Sequence, residues 1–121
     1  MLAFMEKDYP DDAIGDALRE LAAAGNDMSA EMSIDFNVVV PVEKMANKFA
    51  RTAEAKGFRV GVWKRQGDDD WDVICSKRMI ATHDSVAAAQ RELVELCGPF
   101  LGFYDGWATF GNTGEAAIEA E

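Results

Sequence analysis

The sequence has few residues of the kinds that build metal sites and disulfide frameworks. It contains one histidine, His83, and two cysteines, Cys75 and Cys97, without a CxxC motif or a Cys–His cluster. Both cysteines follow the apolar spacing of their neighbours, so we predict that they are small core residues. A zinc site or a catalytic thiol is therefore not expected.

Long apolar runs are also missing. No segment approaches the roughly 20 apolar residues that a helix needs to span a bilayer. The N-terminus begins with a short apolar stretch that acidic residues follow at once, which is not typical of a signal peptide. We expect a cytoplasmic protein that does not enter a membrane.

The chain lacks the motifs of common catalytic sites. It has no GxSxG sequence, no Walker loop and no GxGxxG sequence. The neighbours of His83 resemble the start of a helix more than a catalytic triad. The acidic run Asp68–Asp70 lacks the alternating ligands and the distal glutamate of a calcium loop, and it lies between two predicted strands. We therefore expect no enzyme, no cofactor and no metal, and we predict that this run is a solvated hairpin turn.

Basic residues are scarce. The chain has 12 lysines and arginines against 22 acidic residues, which gives a net charge of -10. Such a charge opposes binding to a phosphate backbone, so direct contact with nucleic acid is not expected. It favours solubility and attraction to a basic protein surface. With 121 residues, 49% of them hydrophobic, the chain is predicted to form a single soluble domain at 1–121.

A strand with one buried face is the clearest element. In the stretch Ser33–Pro41, every second side chain is apolar and belongs to one face of the strand, and the side chains between them belong to the other face. Pro41 has no amide hydrogen to donate and should end the strand. The predicted buried face carries Ile34, Phe36, Val38 and Val40, and the other face carries Asp35, Asn37 and Val39.

Spacings of three and four predict helices on both sides of this strand, and alternation predicts further strands. Thr82 or Asp84 is expected to cap the last helix, and Gly98 to end it. The predicted elements are a helix at 11–24, the first strand, a helix at 43–56, a strand at 58–63, a hairpin turn at 66–70, a strand at 71–80, the last helix, a strand around 102–110 and an acidic tail at 113–121.

This order predicts an α+β fold. A helix precedes a β-α-β-β-α-β series, and two right-handed βαβ units form a ferredoxin-like split βαβ sandwich. The sheet should be four-stranded and antiparallel, with helices on one face and the first and third strands at its centre. The open face would display Asp35, Asn37, Arg59, Trp63, Asp72 and Arg78, with Trp107 as a further candidate. The third strand lacks the RNP pattern of RNA-recognition motifs, so base stacking is not expected there.

The last strand carries a family resemblance. Phe103–Phe110 runs Phe-Tyr-Asp-Gly-Trp-Ala-Thr-Phe. This resembles the closing signature of the regulator of ribonuclease activity B (RraB-like) family, Tyr-Asp-Gly-Trp-Gly-Thr-aromatic, although Ala108 stands where glycine is usual. The segments at 24–36 and 72–75 also resemble those of the family, so the resemblance covers most of the chain.

The resemblance implies a split βαβ fold and a non-enzymatic inhibitor. Such an inhibitor binds the non-catalytic scaffold region of ribonuclease E and changes which transcripts are degraded. The acidic segment Glu115–Glu121 is shorter than the extension associated with such members. We expect Asp68, Asp69 and Asp70 to attract a basic partner segment.

Tyr104, Asp105 and Trp107 have two interpretations. As a binding site, two aromatic rings beside a carboxylate would anchor a basic peptide. As structure, the same side chains would pack an edge strand against a helix. A different functional hypothesis is a small-ligand-binding module of the ferredoxin-like type. In that case the chain would bind its ligand in a cleft of the sheet, or between the two subunits of a dimer.

Overall fold

The structure of the chain is a computed structural model that describes residues 9–113. The first eight residues and the predicted acidic tail from 114 onward lie outside the described residues. The elements in chain order are α1 (Ala13–Ala23), β1 (Glu31–Val40), α2 (Glu43–Ala55), β2 (Arg59–Lys64), β3 (Trp71–Ile80), α3 (His83–Cys97), a short 3-10 helix (Gly98–Phe100) and β4 (Phe103–Thr109).

The four strands form one antiparallel sheet in the order β2-β3-β1-β4. The predicted α+β class and the antiparallel four-stranded sheet are confirmed. The first and third strands lie at the centre, as expected. β2 and β4 are the edges of the sheet, and β4 pairs with β1 alone among the described strands.

Polar side chains fix the start of two helices. The Asp12 carboxylate accepts a hydrogen bond of 2.8 Å from the Gly15 amide and caps α1. Thr82 caps α3 in a capping box with Ser85, in which the hydroxyl oxygen of each residue accepts a hydrogen bond of 3.0 Å from the backbone amide of the other. Of the two predicted caps of this helix, the structure uses Thr82.

The core lies between one face of the sheet and the helices. β1 contributes its alternate side chains, as the sequence pattern predicted, and Met32 joins them because the strand begins two residues before Ser33. Each helix adds side chains at helical spacing. The largest fully buried side chains are Phe36, Phe49, Leu18, Met32, Ile34 and Leu93.

A bulge in β4 decides which way its side chains face. Phe36 pairs with Trp107 and Val38 pairs with Tyr104, so one extra residue is inserted between them on β4. Gly106 takes a φ of 111° at this bulge, a conformation that side chains disfavour. Tyr104 and Trp107 consequently share the helix-covered face with Phe36 and Val38.

The position of Trp107 corrects one expectation. The sequence made it a candidate for the open sheet face, but its register partner Phe36 is fully buried beneath the helices. The bulge is the physical reason, because an extra residue inverts the alternation beyond it.

Val39 shows a second difference. It alternates with the core residues of β1 and lies on the open face, yet it is fully buried. Its register partners are Asp72 on β3 and Phe103 on β4, so side chains of two neighbouring strands flank it on both sides. An apolar residue at this central position is covered by its neighbours without any helix.

Candidate protein-binding surfaces

The predicted acidic turn lies at the tip of the β2–β3 hairpin. The Arg65 amide donates to the Asp70 carbonyl at 2.9 Å, and the Asp68 carboxylate accepts from the Asp70 amide at 3.0 Å. Asp68 and Asp69 are exposed, whereas Asp70 is partly buried. The Lys64 ammonium approaches an Asp69 oxygen at 3.8 Å, a surface ion pair of little energetic value. The turn therefore presents carboxylates to solvent, as predicted.

Tyr104 is part of the interior packing. Its hydroxyl donates to the Gln90 side-chain oxygen on α3 at 2.8 Å, and burial raises the pKa of this phenol. The ring contacts the core from its edge. This geometry matches the structural interpretation of Tyr104.

Asp105 lies on the opposite, open face of the sheet. The Asn37 side-chain amide donates to Asp105 at 3.3 Å and to Asp72 at 3.2 Å, so one amide bridges the carboxylates of two neighbouring strands. Both of its protons are used in this way, which turns the Asn37 oxygen inward. That oxygen is buried and has no hydrogen-bond partner in the described part of the chain.

A row of four paired residues crosses the open face, with an aromatic residue at each end. In register order it reads Trp63, Asp72, Val39 and Phe103, from β2 to β4. Trp63 is 58% exposed and Phe103 is 54% exposed. The Trp63 ring packs against Gly61, where an added Cβ would stand only 2.1 Å from the ring. Large aromatic area is thus displayed at both ends of the row.

A groove separates α1 from the free edge of β4. Its volume is 670 Å³. The helix lines it with one face, and the other wall is formed by residues 106–109 of β4 together with Phe110, which follows the strand. Trp107 lines the groove and also packs against the core, and Phe110, at one end of the groove, is 61% exposed. The described lining is Ala13, Ile14, Ala17, Glu20, Leu21, Ala24, Asn26, Gln90, Gly106, Trp107, Ala108, Thr109, Phe110 and Thr113.

A clasp of two asparagines holds the far end of this groove. The Asn112 amide donates to the Asn26 side-chain oxygen at 2.7 Å. The Asn112 side chain accepts from the Asp27 amide and donates to the Asp27 carbonyl, each at 2.8 Å. Asn26 in turn donates to the Leu21 carbonyl at 2.9 Å. The clasp ties the residues after β4 to the loop after α1.

His83, Asp12 and the two cysteines contribute to the packing of the fold. His83 places Nε2 2.8 Å from an Asp12 oxygen and so joins the starts of α1 and α3. The Gly15 amide and His83 hold the pKa of Asp12 below its usual value. Burial raises the pKa of Cys75 to about 12 and also raises that of Cys97. Within residues 9–113, no group of three or more potential metal ligands is found, and no helix is long and apolar enough to cross a membrane.

The predicted site residues thus occupy three places. The acidic turn lies at the hairpin tip, Asp105 lies on the open face, and Tyr104 and Trp107 face the helices. The structure does not bring the last three together into one anchor. The α1–β4 groove and the exposure of Phe103 were not predicted from the sequence, although the signature contains the aromatic residues at the start of β4 and just after its end.

One family model matches the chain. It describes the regulator of ribonuclease activity B, RraB, and it covers residues 11–109. This range includes all the helices and strands described above, from α1 to β4. No curated protein matches the chain.

Proposed function

Because the chain belongs to the regulator of ribonuclease activity B family, we propose that it is a non-catalytic protein that binds ribonuclease E, or a related RNA-decay component, and changes its activity. The family match carries this proposal. It covers the whole described sheet and its three helices, and the family is one of regulators.

The charge of the chain supports a basic protein segment as the target. A net charge of -10 repels RNA and attracts lysine-rich and arginine-rich surfaces. Asp68, Asp69 and Asp70 would accelerate the encounter, because exposed charges mainly act on association rates. Asp105, held on the open face by Asn37, offers a further carboxylate to the same kind of partner.

A capture experiment tests the proposal. The purified protein serves as bait in a lysate of the source cell at about 50 mM and about 300 mM salt, a range over which electrostatic attachment is screened. Recovery of ribonuclease E at low salt and its loss at high salt is the expected result. Recovery of no RNA-decay component at either salt would contradict the proposal.

A second function is favoured by one observation, the groove between α1 and β4. Its 670 Å³ volume falls in the usual range of small-molecule sites, and most of its lining is apolar. The alternative function is that of a small-ligand-binding module, with the chain acting as a monomer or as a dimer. Native mass spectrometry that detects a bound metabolite or a stable dimer would favour it over the regulator.

We also propose the ferredoxin-like split βαβ class for the fold, with α1 as an additional helix before it. The order β2-β3-β1-β4 supports this class. A cytoplasmic location is proposed as well, since the RNA-decay partner would be found there.

A further inference from the structure

The outer edge of β4 is the feature from which this inference starts. β4 is the last strand in the order β2-β3-β1-β4, and no other strand of the described chain pairs with its outer edge. Such an edge presents a row of backbone donors and acceptors that another extended chain can join. Here the edge is not covered tightly, because the α1–β4 groove lies beside it.

The dimensions of the groove suit an extended peptide. The last four residues of β4, 106–109, and the following Phe110 line it, and the extended chain from 106 to 110 covers about 13 Å. On the other wall, Ala13, Ala17 and Ala24 are small residues that leave room beside Trp107. The asparagine clasp fixes the end of the strand in advance, which lowers the entropy that a partner loses on binding.

The two faces of the sheet differ in chemistry at this edge. An added strand would direct alternate side chains toward the helix-covered side, where Trp107 and Leu21 are apolar. The intervening side chains would emerge on the open face, beside Asp105 and Asp35. Apolar and basic residues in alternation would satisfy both faces.

The charges around the groove agree with this pattern. Its described lining includes the carboxylate of Glu20 and no lysine or arginine. The one basic residue of α1, Arg19, is already engaged by Asp16 and by the Tyr9 carbonyl. The basic side chains of such a segment therefore meet carboxylates on the open face, and the described groove lining adds no positive charge that would repel them.

We propose that the α1–β4 groove binds an extended segment of a partner protein in which apolar and basic residues alternate, and that this segment adds as a fifth strand to β4. Its apolar side chains contact Trp107, and its basic side chains lie near Asp105 on the open face. The inference rests on the proposed function only in taking the partner to be a protein.

A synthetic peptide tests the binding mode without any ribonuclease. The probe is fluorescein-labelled Leu-Lys-Leu-Arg-Leu-Lys, titrated with the purified full chain and followed by anisotropy. In ¹⁵N-resolved spectra, we expect shifts of the amides at 106–110 and of the Trp107 indole. The Trp63 indole, on the opposite edge strand, is an internal reference that should stay in place.

Two sets of variants separate the groove from other surfaces. Ala17→Phe fills the groove and leaves Trp107 intact, and we expect it to weaken binding about tenfold or more, because an apolar side chain loses its site. Ala55→Phe, the same substitution at an exposed position at the end of α2, is the matched control and should bind as the wild type does. Circular dichroism of both variants verifies the fold.

N-methylation of the peptide tests strand addition itself. Methyl groups on the alternate amides that face β4 remove hydrogen bonds and should weaken binding about tenfold, whereas methylation of the other alternate amides should have little effect. Equal binding of both methylated series, unchanged binding by Ala17→Phe, shifts at Trp63, or no binding at all would overturn the proposal. So would a co-purified small molecule that occupies the groove and that the peptide fails to displace. The ribonuclease proposal stands or falls separately, on the capture experiment.

Discussion

Loss of the asparagine clasp should measurably loosen the end of β4. Asn112→Ala removes two side-chain hydrogen bonds to Asp27, each 2.8 Å long, and leaves the Asn112 backbone amide free to donate to Asn26. An intramolecular hydrogen bond contributes about 0.5–1.5 kcal/mol. Because these groups are accessible to water in the variant, the lower half of that range applies, and we expect a total loss of about 1–2 kcal/mol.

Urea unfolding followed by tryptophan fluorescence measures this loss. The midpoint should fall with an unchanged m-value, because the surface exposed on unfolding stays the same. In a thermal scan the loss corresponds to about 4–8 °C for a domain of this size. Asn26→Ala removes the acceptor of the Asn112 amide and the donor to Leu21. The double variant should lose less than the sum of the single variants, since the two side chains hold the same loop.

Asn47→Ala is the matched control. Asn47 is exposed on α2, and alanine there should be neutral or stabilising by about 0.5 kcal/mol, as helix propensities indicate. If Asn112→Ala lowers the free energy of unfolding no more than Asn47→Ala does, the clasp does not hold the end of β4. The groove is then not fixed before a partner binds.

Three further predictions concern charge and ionisation. Replacement of Asp68, Asp69 and Asp70 by lysine should slow association with the partner at low salt, and it should lower the unfolding midpoint only slightly, because Asp68 loses one exposed hydrogen bond to the Asp70 amide; equal association rates in surface plasmon resonance would remove the turn from the interface. Burial raises the pKa of Cys75 to about 12, so a thiol reagent at mildly alkaline pH should modify it only after unfolding, and rapid modification of the native protein would contradict its burial. The pKa of Asp12 is lowered from 3.8 by the Gly15 amide and His83, so its ionised form favours the folded state. The stability advantage of the wild type over Asp12→Ala should be present above pH 3.8 and disappear as the pH falls through the folded pKa; an advantage that persists in strong acid would refute this linkage.

Local patterns were sufficient to predict most of the fold. The alternation in β1 and the helical spacing around Phe49 and Leu93 each involve neighbours in sequence, so the buried faces follow from the order of residues alone. Gly25 and Gly57 follow the ends of α1 and α2 and both take a positive φ, the usual glycine conformation after a helix, which a sequence pattern can indicate. The strand order followed from the need to cover one sheet face with helices.

The site was harder to predict because its geometry depends on distant residues. The bulge at Gly106 arises from how β4 pairs with β1, and only that pairing shows that Tyr104 and Trp107 face the helices. The clasp joins residues 26 and 112, and the contact between His83 and Asp12 joins two helix starts. The groove exists because α1 lies beside an edge strand, which no local pattern indicates.

The most direct test of the proposed function is the cleavage rate of an RNA substrate by purified ribonuclease E, with and without the purified chain. The enzyme is used whole and also without its non-catalytic scaffold region. We predict that the chain changes the rate of the whole enzyme, that the effect weakens at high salt, and that the enzyme without the scaffold region is unaffected. An unchanged rate for the whole enzyme at low salt, with no detectable complex between the two proteins, would contradict the account.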